Sequence, residues 1–183
     1  QGRQSLQQQQ SNQRNLLPLP DSRYSAFPLQ KTGVLGAVVT SSEEITVFDT
    51  ETGTVVETLN ATHFADTQPV CVEFIPESSE ILVGLSDGRI FRRAVGKDAA
   101  PVSGTNDQGE PVDYEAVFVP DLQDKKDPIT SLALAPGTNM LYVGSLEGIV
   151  SRMDLTLQRI EQVVKRHEGP VVDFRFTKNG VLS

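Results

Sequence analysis

Two stretches of fifteen residues match each other without a gap, sixty positions apart, and this limits the folds open to the chain more than any other feature of it. Phe74-Ile-Pro-Glu-Ser-Ser-Glu-Ile-Leu-Val-Gly84-Leu-Ser-Asp-Gly88 lies over Leu134-Ala-Pro-Gly-Thr-Asn-Met-Leu-Tyr-Val-Gly144-Ser-Leu-Glu-Gly148. The next anchor, Phe176, comes 42 residues after Leu134, and the run that begins at Ile45 comes 45 before its counterpart at Ile90. The longer interval holds an insertion of about 15 residues, KDAAPVSGTNDQGEP at 97–111, which leaves the remainder near the shorter period. A period of about 40–45 residues is that of a stacked supersecondary unit, the blade of a propeller.

The residues inside each period read as strands. VLGAVVT (34–40), ITVFD (45–49), TVVETL (54–59), VCVEF (70–74), ILVGL (81–85), RIFRRAV (89–95), DYEAVFV (113–119), ITSLAL (129–134), LYVGS (141–145) and VVDFRF (171–176) are short and rich in Val, Ile, Phe and Tyr. Turn residues separate them: Asp-Thr-Glu-Thr-Gly at 49–53, Ser-Asp-Gly at 86–88, Ala-Pro-Gly-Thr-Asn at 135–139, Leu-Glu-Gly at 146–148 and Lys-Asn-Gly at 178–180. One segment argues the other way. LTLQRIEQVVKR (155–166) spaces Leu157, Ile160 and Val164 as a helix would, behind Thr156 as an N-cap. It fills the slot that TVVETL and DYEAVFV fill in the other repeats, so a strand is expected. The expectation is an all-β chain of four-stranded antiparallel units.

Composition sets the outer bounds. With 183 residues the chain is one ordinary domain or part of a larger one. The absence of an initiator Met or a leader favours a piece of something longer. No apolar run reaches the roughly 18 residues that cross a bilayer, so no membrane role is expected. One Cys and two His cannot make a Cys/His zinc site or an internal disulfide. Residues 41–127 hold 18 acidic and six basic side chains, net −12, whereas 151–183 hold four and six, net +2. Phosphate binding needs a clustered basic face, so nucleic acid is not expected on the acidic middle. Residues 1–23, QGRQSLQQQQSNQRNLLPLPDSR, carry four leucines as their only large apolar side chains and read as an extended or disordered tail. Leu16-Leu17-Pro18-Leu19-Pro20 within it is either a linker or an extended docking peptide.

The repeats resemble WD40 repeats. The resemblance rests on the Phe74…Pro76 and Leu134…Pro136 turns, the strands ending at Gly84 and Gly144, and the turn Ser86-Asp87-Gly88. It rests also on Phe48-Asp49, where that family often has Trp-Asp, and above all on His167-Glu-Gly-Pro-Val171 leading into an alternating strand. There is no Trp, Glu147 stands for the usual Asp, and Arg92-Arg93 is expected where the aromatic-acid pair would lie. The resemblance covers 24–183 and implies blades at about 24–67, 68–127 (with the insertion 97–111) and 128–167, with a further blade beginning at 168–183. That is a partial WD40-like propeller, since a closed one has four to eight blades. It also implies that Asp87, Gly88, Gly148 and His167 belong to a structural loop and turn network.

No residue pattern points to catalysis. His167 and Asp173 lack companions for acid–base work, His63 reads as a loop histidine, and no G-x-S-x-G or phosphate-binding loop is present. Asp121, Asp124 and Asp127 lack the Gly and Glu of a calcium loop and read as a solvated acidic run. Cys71, with no basic neighbour in sequence, reads as an inert packed thiol. Asn60-Ala61-Thr62 is a formal glycan acceptor that matters only in a secreted chain. Expected, therefore, are no catalytic, cofactor or metal site, no cofactor, and a protein-interaction scaffold within a multiprotein assembly, in cytoplasm or nucleus. The competing readings are an enzyme or cofactor-binding propeller with its active residues in further blades, and a secreted or receptor-type propeller. The candidate partner-binding element is the insertion, with Asp98, Asp107 and Glu110. Residues 97–127 carry eight acidic groups against Lys97, Lys125 and Lys126. Long loops without secondary structure are usually functional or disordered, so an acidic, partly mobile loop that meets a basic partner surface is expected.

Overall fold

A computed structural model describes residues 23–24, 35–96, 99, 101–106, 108–117, 126–157, 159–177 and 180–182. The first sheet holds β1 (Arg23–Tyr24), β2 (Leu35–Val39), β3 (Ile45–Asp49) and β4 (Val55–Leu59) in chain order. Next come β5 (Pro69–Phe74), β6 (Glu80–Leu85) and β7 (Ile90–Ala94), a small hairpin of β8 (Gly104–Thr105) with β9 (Pro111–Val112), and β10 (Tyr114–Val117). The second sheet has the order β5-β6-β7-β10. The third runs β11 (Ile129–Leu134), β12 (Met140–Ser145), β13 (Ile149–Asp154), β14 (Arg159–Arg166). A two-stranded sheet of β15 (Arg175–Thr177) and β16 (Gly180–Leu182) follows. All strand pairs are antiparallel.

The middle sheets are buried on both faces, which is why their strands are nearly continuous apolar runs and not strict alternations. In β6, Ile81, Val83 and Leu85 pack with Val47, Leu59 and Phe64 of the preceding segment, while Leu82 packs with Ile129, Leu141 and Met153 of the following sheet. A third cluster, Val150, Val171 and Phe174, joins the third sheet to the chain beyond it. Burying such a side chain contributes roughly 1.5–3 kcal/mol, so the seams between sheets are the main source of stability.

The offset of sixty recurs in the hydrogen bonds. Ile75 N–H donates to Glu80 O and Ala135 N–H to Met140 O, each at 2.9 Å. Ser86 N–H donates to Gln68 O at 3.0 Å and Leu146 N–H to Pro128 O at 2.9 Å. Val95 N–H donates to Ser79 O, as Leu155 N–H does to Asn139 O. The seams repeat too. A Cβ on Gly84 would lie 2.6 Å from both Cys71 Sγ and Ile129 Cγ2; one on Gly144 would lie 2.5 Å from Val171 Cγ1 and would overlap Ser131 Oγ. Each glycine thus lets the first strand of its own sheet and the leading residue of the next approach its backbone.

Residues 159–166 form the expected strand: β13 pairs with β14 from Ile149↔Arg166 to Asp154↔Arg159, with two register shifts, so sheet pairing overrides the helical spacing, and Leu157 is exposed. Two other local readings change. The strand β13 itself was not among the runs singled out above. VVDFRF is regular only from Arg175, because Val171 N–H donates to Ser145 O at 3.1 Å and Val171 O accepts from Thr130 Oγ1 at 2.6 Å. These bonds tie Val171 to the third sheet instead of to a ladder of its own.

Candidate interaction surface

At one end of the second and third sheets the turn after the second strand meets the segment leading into the first. In the second sheet, Asp87 Oδ1 accepts from Arg89 N–H, and Asp87 Oδ2 accepts from Arg89 Nε at 2.7 Å and from Thr67 Oγ1 at 3.3 Å. Arg89 also donates to Thr67 Oγ1 at 2.8 Å, and its guanidinium lies 5.1 Å from the Phe91 ring centre. In the third sheet, Glu147 N–H donates to Asp127 Oδ1 at 3.0 Å and His167 N–H to Gly148 O at 2.8 Å. Gly88 (φ 87) and Gly148 (φ 83) close the two turns through a left-handed conformation. A Cβ on Gly148 would also strike His167 O and Gly169 O, at 2.5 and 2.6 Å. The four network residues therefore occupy two copies of one corner, Asp87 with Gly88 and His167 with Gly148, and are not one cluster.

The expected solvation of the acidic run fails at the one aspartate of the three that is described. Asp121 and Asp124 lie outside the described residues, whereas Asp127 is buried, with Oδ1 fixed by a backbone N–H and Oδ2 without a partner among the described residues. Cys71 is buried, with Sγ 3.6 Å from Ile129 O. His63 Nδ1 accepts from Asn60 N–H at 3.2 Å, and Asn60 caps the 3-10 turn Ala61–Phe64. Among the described residues no group of three His, Cys, Asp or Glu is placed to hold a metal ion, and no helix is long and apolar enough to cross a membrane.

The opposite ends carry the largest departure from the repeat. Asp49 accepts from Glu51 and Thr52 N–H at 2.8 Å, and Asp154 from Thr156 at 2.8 Å and Leu157 at 3.1 Å, so both close a tight turn. The Thr52 N–H holds the Asp49 carboxyl below its ordinary range, outweighing the opposing effect of desolvation, with the Glu51 N–H and the Thr52 side chain adding to it. Strand register puts Arg93-Ala94 in the place of Phe48-Asp49 and Met153-Asp154, one residue later than the Arg92-Arg93 expected above. Ala94 cannot close the turn. The buried Arg93 pairs instead with Asp113 and, at 3.2 Å, with Glu57 of β4, tying the outer strands of two sheets together. Arg92 pairs with Glu80 at 2.5 Å and Glu115 at 3.7 Å.

The insertion contains secondary structure, contrary to the structureless loop expected. Asn106 Oδ1 accepts from Gln108 and Glu110 N–H at 3.0 and 2.8 Å, and Asn106 Nδ2 donates to Glu110 Oε2 at 3.0 Å, closing the β8–β9 hairpin. Of the candidate loop residues, Glu110 is thus held within the hairpin, and Asp98 and Asp107 lie outside the described residues. The sequence marked Arg93 only as a departure from the repeat, and no signal in it pointed to its ion pairs or to the capping role of Asn106.

No protein-family model and no curated protein matches the chain. Solved structures do. The chain is similar to the computationally designed Ika4 protein (17% identity, TM-score 0.53, 90% of this chain and 86% of that one) and to the computationally designed Ika8 protein (18%, 0.52, 90% and 43%). It is also similar to the Myceliophteria thermophila Cps50 (Swd1) β-propeller domain, at 13% identity and TM-score 0.56 over 86% of this chain and 48% of that one. Against the last two, this chain spans less than half of the other's length. With its sheets and seams, these likenesses give the fold: an all-β propeller arrangement of four-stranded antiparallel blades.

Proposed function

We propose that the chain is a non-catalytic protein-interaction scaffold of the WD40 kind, working as a subunit of a larger intracellular assembly. It would contribute blades at 24–67, 68–127 and 128–167 and the beginning of another at 168–183, with the Gln-rich segment 1–23 ahead of them. The observation that carries this reading is the contrast between turns that repeat bond for bond and a link, after Ala94, that breaks the repeat with an acidic hairpin. A rigid frame with one elaborated loop suits recognition of another protein, because a preorganised surface loses little entropy on binding. Its partner on that loop would present a basic surface.

The test is the native size of the full-length protein in cell extract, with cross-linking to locate neighbours. The expected result is elution far above its own mass, with cross-links from residues near Lys97. Shortening 97–111 to a Gly-containing turn should weaken the assembly most at low salt, where charge attraction is least screened. Elution at the mass of a lone chain would overturn the reading.

A further inference from the structure

We propose that the seam between the first and second blades holds a cationic side chain, arginine or lysine, of a partner protein; this rests on the scaffold reading and adds a site distinct from the hairpin. A recess of about 250 Å³ lies there, lined by Val39, Thr40, Ser41, Glu43, Gln68, Pro69 and Val70. It is smaller than the roughly 300–1,000 Å³ of a small-molecule site and suits one inserted side chain.

Three residues of this recess are the ones at which the first seam departs from its later copies. Val39, paired with Ile45 as Gly84 is with Ile90 and Gly144 with Val150, puts a side chain where the other blades have bare backbone. Pro69 stands where Val171 stands, and has no N–H for the bond that Val171 donates to Ser145 O. Glu43 occupies the turn position of Gly88 and Gly148, and keeps their left-handed backbone at φ 61. A non-glycine residue there costs of order 1 kcal/mol and persists where the surroundings hold it, commonly at binding sites. The first two departures change how the blades meet at this seam, and the third sets a carboxylate at the mouth of the opening.

The lining matches a long side chain with a charged head. Val39, Pro69 and Val70 offer apolar surface to a methylene stem. The exposed Glu43 carboxylate makes no hydrogen bond or ion pair with a described residue, and Ser41 and Gln68 beside it add acceptors. The net charge of −12 over residues 41–127 favours a cation over an anion there.

The experiment is a titration of the isotope-labelled full chain, followed by amide NMR, with acetyl-Ala-Arg-Ala-amide and with its citrulline counterpart, which keeps the shape and loses the charge. Saturable shifts at the amides of 39–44, 68 and 70 with the arginine peptide alone are expected. Glu43→Gln should weaken that binding about tenfold, as loss of a charge-assisted bond would. Val39→Gly with Pro69→Ile, which restores the later seams, should abolish it while Glu43 remains. Equal shifts with citrulline, unchanged binding in Glu43→Gln, shifts centred on the hairpin at 104–112, or no saturable shift would each overturn the proposal. An assembly-sized protein whose recess ignores the peptide defeats this inference alone, and a lone chain that still binds the peptide defeats the scaffold reading alone.

Discussion

In the third blade Asp154 closes the link from β13 to β14 by accepting two backbone N–H groups within three residues. In the second blade Ala94 stands in that place, and the chain travels through a hairpin before returning at Tyr114 to form β10. Elsewhere the two blades share turn bonds at an offset of sixty, and the largest difference between them lies at one end of one link. The comparison teaches that the seams carry the fold, while the links after the third strand are free to vary as long as something replaces the lost turn. Arg93 is that replacement: it anchors Asp113 at the start of β10 and reaches back to Glu57.

The largest effects should come from the seams, which the two blades have in common. Gly84→Ala and Gly144→Ala each force a Cβ into contact with the next blade, and each should destabilise by about 1–3 kcal/mol in urea unfolding. A large loss in one with none in the other would break the equivalence of the seams. Next is Arg93→Met, which gives the second blade the third blade's residue. Its carboxylate partners are partly exposed and can rehydrate, so the loss should be about 1–2 kcal/mol and not the full cost of stranding a buried charge. No loss of stability would mean that Arg93 does not replace the turn.

Much of the frame was legible before any coordinates, because a blade buried on both faces writes its apolar runs and glycines into the sequence twice. The gapless match placed Gly84 and Gly144 in equivalent strands, and it could have placed β13 as well, since Ile149–Asp154 follows its turn as Ile90 follows Ser86–Arg89. The site was less legible. Arg93 and Ala94 look like ordinary strand residues until register aligns them with Met153 and Asp154, and Asn106 looks like a flexible loop residue until its side chain is seen to bond Gln108 and Glu110. Asp127 misled in the other sense: a charged residue in an acidic run is usually solvated, and here a backbone N–H holds it inside. Long-range register and side-chain capping leave little trace in local composition.

Smaller effects sharpen the comparison. Replacing 97–111 with a Gly-containing turn should leave stability within about 1 kcal/mol of the original, since loop length carries only a slowly growing entropy cost; a larger loss would make the hairpin part of the frame. The smallest effect concerns pH. The Asp49 carboxyl is held below its ordinary range, so its contribution is present above the unfolded carboxylate value and is lost as pH falls through the folded one. Asp49→Asn should therefore flatten the acid limb of the stability–pH curve, whereas Ala94→Asp, with its long link intact, should leave that limb unchanged.

The most direct test of the recurring seam is a double-mutant cycle at Gly144 and Val171. If Val171 is what bars a side chain at position 144, Gly144→Ala should cost about 1 kcal/mol less in a Val171→Gly background than in the unaltered chain, and Gly84→Ala should gain the same relief from Ile129→Gly. Costs that simply add in both pairs would contradict the claim that one joint, built twice, holds the blades together.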